Sequence, residues 1–196
     1  MSRLLIATFN QGKLEDYRLF SRSLPLELVS LGDLGITDEF EEVHATFEEN
    51  ARAKAEHYAA LSGLPTLADD SGIEIPYYGM EPGVKTRRWA GSGLPDEEYF
   101  EFILKKIRDI PPDQREAQLR AVLALHRDGR THLAEGKILG RLTDDYYRLS
   151  ATAGYPWDRV FVIEELEKFY EELDPEENYR YNHRRLAFDK LRRYLS

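Results

Sequence analysis

Thr66-Leu67-Ala68-Asp69-Asp70-Ser71-Gly72-Ile73-Glu74-Ile75 sets two apolar triplets on either side of four polar or flexible residues. Each triplet reads as a short strand, so the two aspartates are expected to emerge at a strand end. Adjacent carboxylates in that position suit a hard, oxygen-seeking ion such as Mg²⁺, which keeps waters and binds through one or two carboxylates plus substrate phosphates. An Asx turn, with each Asp bonding nearby amides, fits the same spacing. Spacing alone leaves both readings open.

Upstream, Thr46-Phe47-Glu48-Glu49 has the form of a capping box. The alanine-rich helix that it opens should run to Gly63, which can take the left-handed C-terminal position. Phe47, Ala51, Ala55, Tyr58 and Ser62 line its buried stripe, and Lys54 falls on another face, where a solvated lysine is the default. Before the helix lies a polar loop with Asp38, Glu39, Glu41 and Glu42, which can either be solvated or complete a metal site. Further back, Leu4-Leu5-Ile6-Ala7 reads as a buried strand and Lys13 to Ser23 as an amphipathic helix, with a second strand near Glu27 to Leu31. The turn between the first strand and helix offers Thr8, Asn10 and Lys13. Amides at a helix N-terminus attract phosphate, but the glycines and the Lys-Ser/Thr pair of a P-loop are missing.

Downstream, Pro95 to Arg108 reads as a helix. Gln114 to His126 reads as a long strand with Ala117, Leu119, Ala121, Leu123 and Leu125 on one face, pairing with Thr131 to Leu139 around Asp128-Gly129. Val160 to Ile163 is a late strand and His183 to Leu195 a terminal helix. The alternation of elements predicts a mixed α/β fold. The acidic run Glu164 to Glu177 and the arginine-rich run Arg180 to Arg193 read as solvated helix faces. His183-Arg184 sits at a helix start, where the dipole disfavours cations unless an acceptor compensates.

The 196 residues carry 27 basic and 36 acidic side chains, a net charge of -9, which weighs against binding a nucleic-acid polymer. The chain has no cysteine, which excludes disulfides, thiolate zinc sites and cysteine nucleophiles. No run is long enough to cross a bilayer, and the N-terminal stretch is too short for a secretory signal, so a cytoplasmic protein is expected.

These scattered features occur together in one family. Ala7-Thr8-Phe9-Asn10-Gln11-Gly12-Lys13, Thr46-Phe47-Glu48-Glu49-Asn50-Ala51 with Lys54, Leu67 to Gly72, Pro82-Gly83-Val84, Trp89-Ala90-Gly91, Trp157-Asp158 and Asn182-His183-Arg184 resemble the non-canonical purine NTP pyrophosphatases, or inosine triphosphate pyrophosphatases. The resemblance spans nearly the whole chain. It implies one domain over residues 1–196, with an elongated, twisted mixed sheet flanked by helices and two lobes around a central active-site cleft. It also implies a homodimer that hydrolyses ITP, dITP or XTP to monophosphate and pyrophosphate, cleansing the nucleotide pool.

Carried across by position, the resemblance makes Asp70 and Lys54 catalytic, and Glu41, Asp70 and Asp69 ligands or supports of Mg²⁺. Thr8, Asn10, Lys13 and Ser71 hold the substrate. Tyr155, Trp157, Asp158, Asn178, His183 and Arg184 form the base pocket, with Arg184 donating to a 6-oxo group. The chain departs from the family pattern at Arg159, where proline is usual, at Asn182, where serine is usual, and at two further positions. Pro156 replaces a glycine beside Tyr155, and Asn178 stands where a base-contacting lysine is usual. An enzyme of altered base preference and a nucleotide-binding protein without turnover are therefore the alternatives.

Overall fold

A computed structural model describes residues 2–91, 93–146 and 156–195. The architecture is mixed α/β, with an open sheet flanked by helices. Its first elements are β1 (Ser2–Ile6), α1 (Gln11–Phe20) and β2 (Leu26–Ser30), followed by α2 (Phe47–Ser62) and β3 (Thr66–Ile75). Next come β4 (Glu81–Pro82), α3 (Asp96–Arg108), β5 (Glu116–Arg127), β6 (Arg130–Leu142), β7 (Phe161–Ile163) and β8 (Lys168–Phe169). Two helices, α4 (Pro175–Arg180) and α5 (His183–Leu191), close the order. The strands run β2-β1-β3-β5-β6-β7-β8, with β4 paired to β3. β1 is parallel to both β2 and β3, whereas β4 lies antiparallel to β3 and β7 antiparallel to β6. Among the described residues no helix is long and apolar enough to cross a membrane.

The chain forms two compact units, with boundaries inside β3, β5 and β6. The first comprises Met1–Ser71, Ala121–Gly136 and His183–Ser196. In it α1 begins at Gln11, earlier than the pattern suggests, because Asn10 caps it by accepting from the Lys13 amide at 3.1 Å. Leu14, Tyr17 and Phe20 are buried, and the rings of Tyr17 and Phe20 meet Phe188 of α5 at 6.1 and 6.0 Å. Thr46 caps α2: its hydroxyl accepts from the Glu49 amide at 3.2 Å and donates to the Glu49 carboxylate at 2.9 Å. Gly63 ends the helix at φ 68°. Gly136 of β6 lets α5 approach, since a methyl there would collide with the His183 carbonyl.

The second unit comprises Gly72–Arg120 and Lys137–Asn182. Its helix α3 buries Tyr99, Phe100, Ile103, Leu104 and Ile107. Gly72 is required here by close approach, because a side chain would strike the Thr86 hydroxyl and the Gly83 carbonyl. The Thr86 hydroxyl in turn accepts from the Ile73 amide at 3.0 Å and donates to Gly83 at 2.6 Å.

Three expectations change. Asp69 to Gly72 is not a connection between two strands but the middle of one, β3. The acidic run is not a helix face: it holds β8, a 3-10 turn at Tyr170–Glu172 and the first turn of α4, capped by Asp174. The terminal helix stops at Leu191 and continues as a 3-10 turn, Arg192–Tyr194.

Candidate functional site

Inside a strand, successive side chains point to opposite faces, so Asp69 and Asp70 meet different surroundings although both are buried. Asp69 faces cations. Its Oδ2 lies 2.7 Å from Lys13 Nζ and 3.5 Å from Arg184 Nε. Burial opposes its ionisation, but the charges of Lys13, Arg184 and Lys54 prevail and hold its pKa at about 2. Arg184 also reaches Asp16 at 3.6 Å and the Ser71 hydroxyl at 3.3 Å. These acceptors supply the compensation that a cation at the start of α5 requires. His183 beside it is buried, and desolvation together with the Arg184 charge drives its pKa well below the usual histidine value.

Asp70 looks toward α2. Asn50 donates from Nδ2 to Asp70 Oδ2 at 2.9 Å, and its Oδ1 accepts from the His44 amide at 3.0 Å. Burial and the Glu42 charge raise the Asp70 pKa to about 6, against the pull of Lys54 and the Asn50 hydrogen bond. Lys54 forms an ion pair with Glu42 and is mostly buried, so it is not the solvated lysine that its helical position suggested. Desolvation works against its charge, but Glu42, Asp69 and Asp70 outweigh it and raise its pKa.

Three cations, Lys13, Lys54 and Arg184, thus share the first unit with four carboxylates, Asp16, Glu42, Asp69 and Asp70. The set leaves Asp70 short of positive charge, an environment that fits a divalent cation. Among the described residues no three His, Asp or Glu side chains gather into a cage. Mg²⁺ characteristically takes only one or two protein carboxylates, so a two-carboxylate arrangement remains in keeping with it.

The Ham1 family model matches residues 4–194. The chain belongs to the Ham1 family. It is 35% identical to a dITP/XTP pyrophosphatase of Pectobacterium atrosepticum, with 98% of this chain and 99% of that protein covered. It is 33% identical to a dITP/XTP pyrophosphatase of Bacillus subtilis, covering 100% of this chain and 98% of the relative. A solved structure of a HAM1 protein from Coxiella burnetii superposes with a TM-score of 0.87 at 29% identity, over 100% of this chain and 98% of that one.

Within this Ham1-family chain the residues singled out from sequence fall into groups. Thr8 accepts from the Asn10 amide at 3.2 Å, so Thr8 and Asn10 shape the turn that presents the N-terminus of α1. Lys13, Lys54, Asp69, Asp70, Ser71, His183 and Arg184 all lie in the first unit. Glu41 is exposed, whereas Glu42 is the acidic-loop residue engaged by Lys54 and felt by Asp70. In the second unit Trp157 is buried, its indole N–H directed to the Tyr99 hydroxyl at 3.4 Å and its ring 6.1 Å from Trp89. Asp158 lies in the 3-10 turn Pro156–Arg159 and Asn178 in α4. Tyr155 lies outside the described residues.

Asn50 and Asp16 escape a reading based on sequence pattern. Asn50 carries a signal all the same: it stands three residues after Phe47, on the buried stripe of α2, where a polar side chain needs a partner. Asp16 stands three residues after Lys13 on α1, a spacing that ordinarily marks a surface ion pair.

Proposed function

We propose that this chain hydrolyses nucleoside triphosphates of deaminated purines, dITP and XTP among them, to the monophosphate and pyrophosphate. The observation that carries the reading is Asp70: a buried carboxyl with a pKa near 6, oriented by Asn50, in the same unit as Lys13, Lys54 and Arg184. The choice of substrate rests on the full-length relatives named dITP/XTP pyrophosphatase. The same reading takes the protein to be a homodimer working in the cytoplasm.

Water adds across the α–β anhydride. Its oxygen forms the new P–O bond, the bridging oxygen departs with pyrophosphate, and one water proton must be removed. Asp70 Oδ accepts that proton as the general base. Asn50 fixes the carboxyl through Oδ2, which directs its other oxygen at the water. Lys13 and the amides at the N-terminus of α1 offset phosphate charge, and Lys54 adds charge while holding Glu42. Asp70 and Glu42 would hold Mg²⁺, which when bound supplies Lewis-acid neutralisation of the phosphate oxygens. Arg184, tied to Ser71, would donate to the 6-oxo group of hypoxanthine or xanthine; adenine offers an amino group there and leaves the donor unmatched.

The test is pyrophosphate release with Mg²⁺ from dITP, XTP, dATP, dGTP and dCTP, for wild type and Asp70→Asn. Release from dITP and XTP, reduced about 10²–10⁴-fold in the variant, is expected. Release mainly from the standard nucleotides would overturn the substrate class. No release from any of them would overturn the hydrolase reading, and an active Asp70→Asn would place the base elsewhere.

A further inference from the structure

The acidic loop that carries Glu42 has no helix or strand from Ile36 to Val43. Its shape is set from outside, by a row of α2 side chains spaced four residues apart. Asn50, Lys54 and Tyr58 share one helix face by that spacing, and each takes the loop at a different point. Asn50 accepts from the His44 amide at 3.0 Å and donates to the His44 carbonyl at 3.4 Å. Lys54 pairs with the Glu42 carboxylate. Tyr58, 1% exposed, uses its phenol twice: it accepts from the Phe40 amide at 3.0 Å and donates to the Asp38 carbonyl at 2.8 Å. The ring of Phe40 rests 5.3 Å from His57, the neighbour of Tyr58 on the helix.

We propose that Tyr58 is a positioning residue for Glu42: its hydroxyl locks the backbone at Asp38 and Phe40, four and two residues before Glu42, and so sets where that carboxylate stands relative to Asp70. Losing the phenol hydroxyl frees one amide and one carbonyl of the loop together. With its N-terminal anchor gone the loop keeps Asn50 at His44, and Glu42 then samples positions away from Asp70. Lys54 cannot substitute, because a flexible lysine follows its partner rather than fixing it. Asn50 and Tyr58 thereby divide the work: Asn50 orients Asp70 directly, and Tyr58 orients its carboxylate partner through the main chain.

The inference rests on the proposed function only in taking Asp70 and Glu42 as a joint cation site, and its test separates the two. Mn²⁺ is titrated into the full-length protein without nucleotide and followed by water-proton relaxation, for wild type, Glu42→Gln, Asp70→Asn and Tyr58→Phe, with urea midpoints measured alongside. Tyr58→Phe is expected to weaken Mn²⁺ binding roughly five- to thirty-fold, the effect of losing one or two kcal/mol, as a folded protein. Glu42→Gln and Asp70→Asn weaken it as well. If those two weaken binding while Tyr58→Phe binds as wild type, with only its urea midpoint lowered, the phenol is merely structural and the inference is overturned. If neither carboxylate variant alters Mn²⁺ binding, the joint site itself is wrong and the inference falls with it. Should Tyr58→Phe fail to fold, Phe40→Pro deletes the N–H donated to the phenol without altering α2, and the same loss of Mn²⁺ affinity is expected. Unchanged affinity in that variant overturns the inference equally.

Discussion

On one face of β3 Asp69 is held by Lys13 at 2.7 Å and Arg184 at 3.5 Å; on the other Asp70 has Asn50 at 2.9 Å and the unfavourable charge of Glu42. The residues are neighbours, equal in chemistry and nearly equal in burial. Their surroundings drive them in opposite directions, Asp69 to a pKa of about 2 and Asp70 to about 6. The difference teaches that desolvation is common to both and the sign is decided by partners: two cations in contact on one side, an amide and a carboxylate on the other. Asp69 joins α1, β3 and α5 into one unit. Asp70 is kept in an unfavourable state that stabilises nothing by itself and suits chemistry.

The largest effect that can break this comparison is on the Asp69 side. Asp69→Asn leaves Lys13 and Arg184 without their shared buried anion, and removing one partner of a buried pair typically costs about 3–5 kcal/mol. The urea midpoint at pH 7.5 should fall accordingly. A midpoint close to wild type would mean that Asp16 and Ser71 suffice for Arg184 and that Asp69 is no hub.

The smaller effect has the opposite sign. Asp70 has a folded pKa above the unfolded value of about 3.9, so it favours the fold while protonated and loses that contribution as pH rises from about 4 through 6. Asn mimics the protonated form. Asp70→Asn should therefore raise stability in metal-free protein at pH 7.5 by about 1–3 kcal/mol, from a shift of about two pKa units at 1.36 kcal/mol each. The gain should fall away as pH drops through 4 and vanish below about pH 3, where the wild-type carboxyl is protonated in both states. Equal stability of wild type and variant from pH 4 to 7.5 would show that Asp70 is not held in an unfavourable state.

The helices were legible because their signals are local: Thr46 with Glu49, Gly63, and the stripe Phe47, Ala51, Ala55, Tyr58. The resemblance picks out Lys13, Lys54, Asp69, Asp70 and Arg184, all of which lie in the first unit. What local pattern could not supply was the course of the chain between Ala68 and Ile73. Asp-Asp-Ser-Gly has the composition of a turn, yet it continues a strand because tertiary partners engage the polar side chains that the strand buries. Those partners, Lys13, Arg184, Asn50 and Thr86, stand 13 to 115 residues away in sequence. The same reason hid the pairing of Glu42 with Lys54: the acidic loop has no period of its own, and its polar contacts run to Asn50, Lys54 and Tyr58 of α2.

The divergence of the two carboxyls is tested most directly by a ¹³C NMR titration of the aspartate side-chain carboxyls in metal-free protein, with Asp69 and Asp70 assigned through the two Asn variants. The expected result is Asp70 titrating near pH 6 and Asp69 remaining ionised down to about pH 2. Both carboxyls titrating together near pH 4 would contradict the assignment of opposite duties to the two faces of β3.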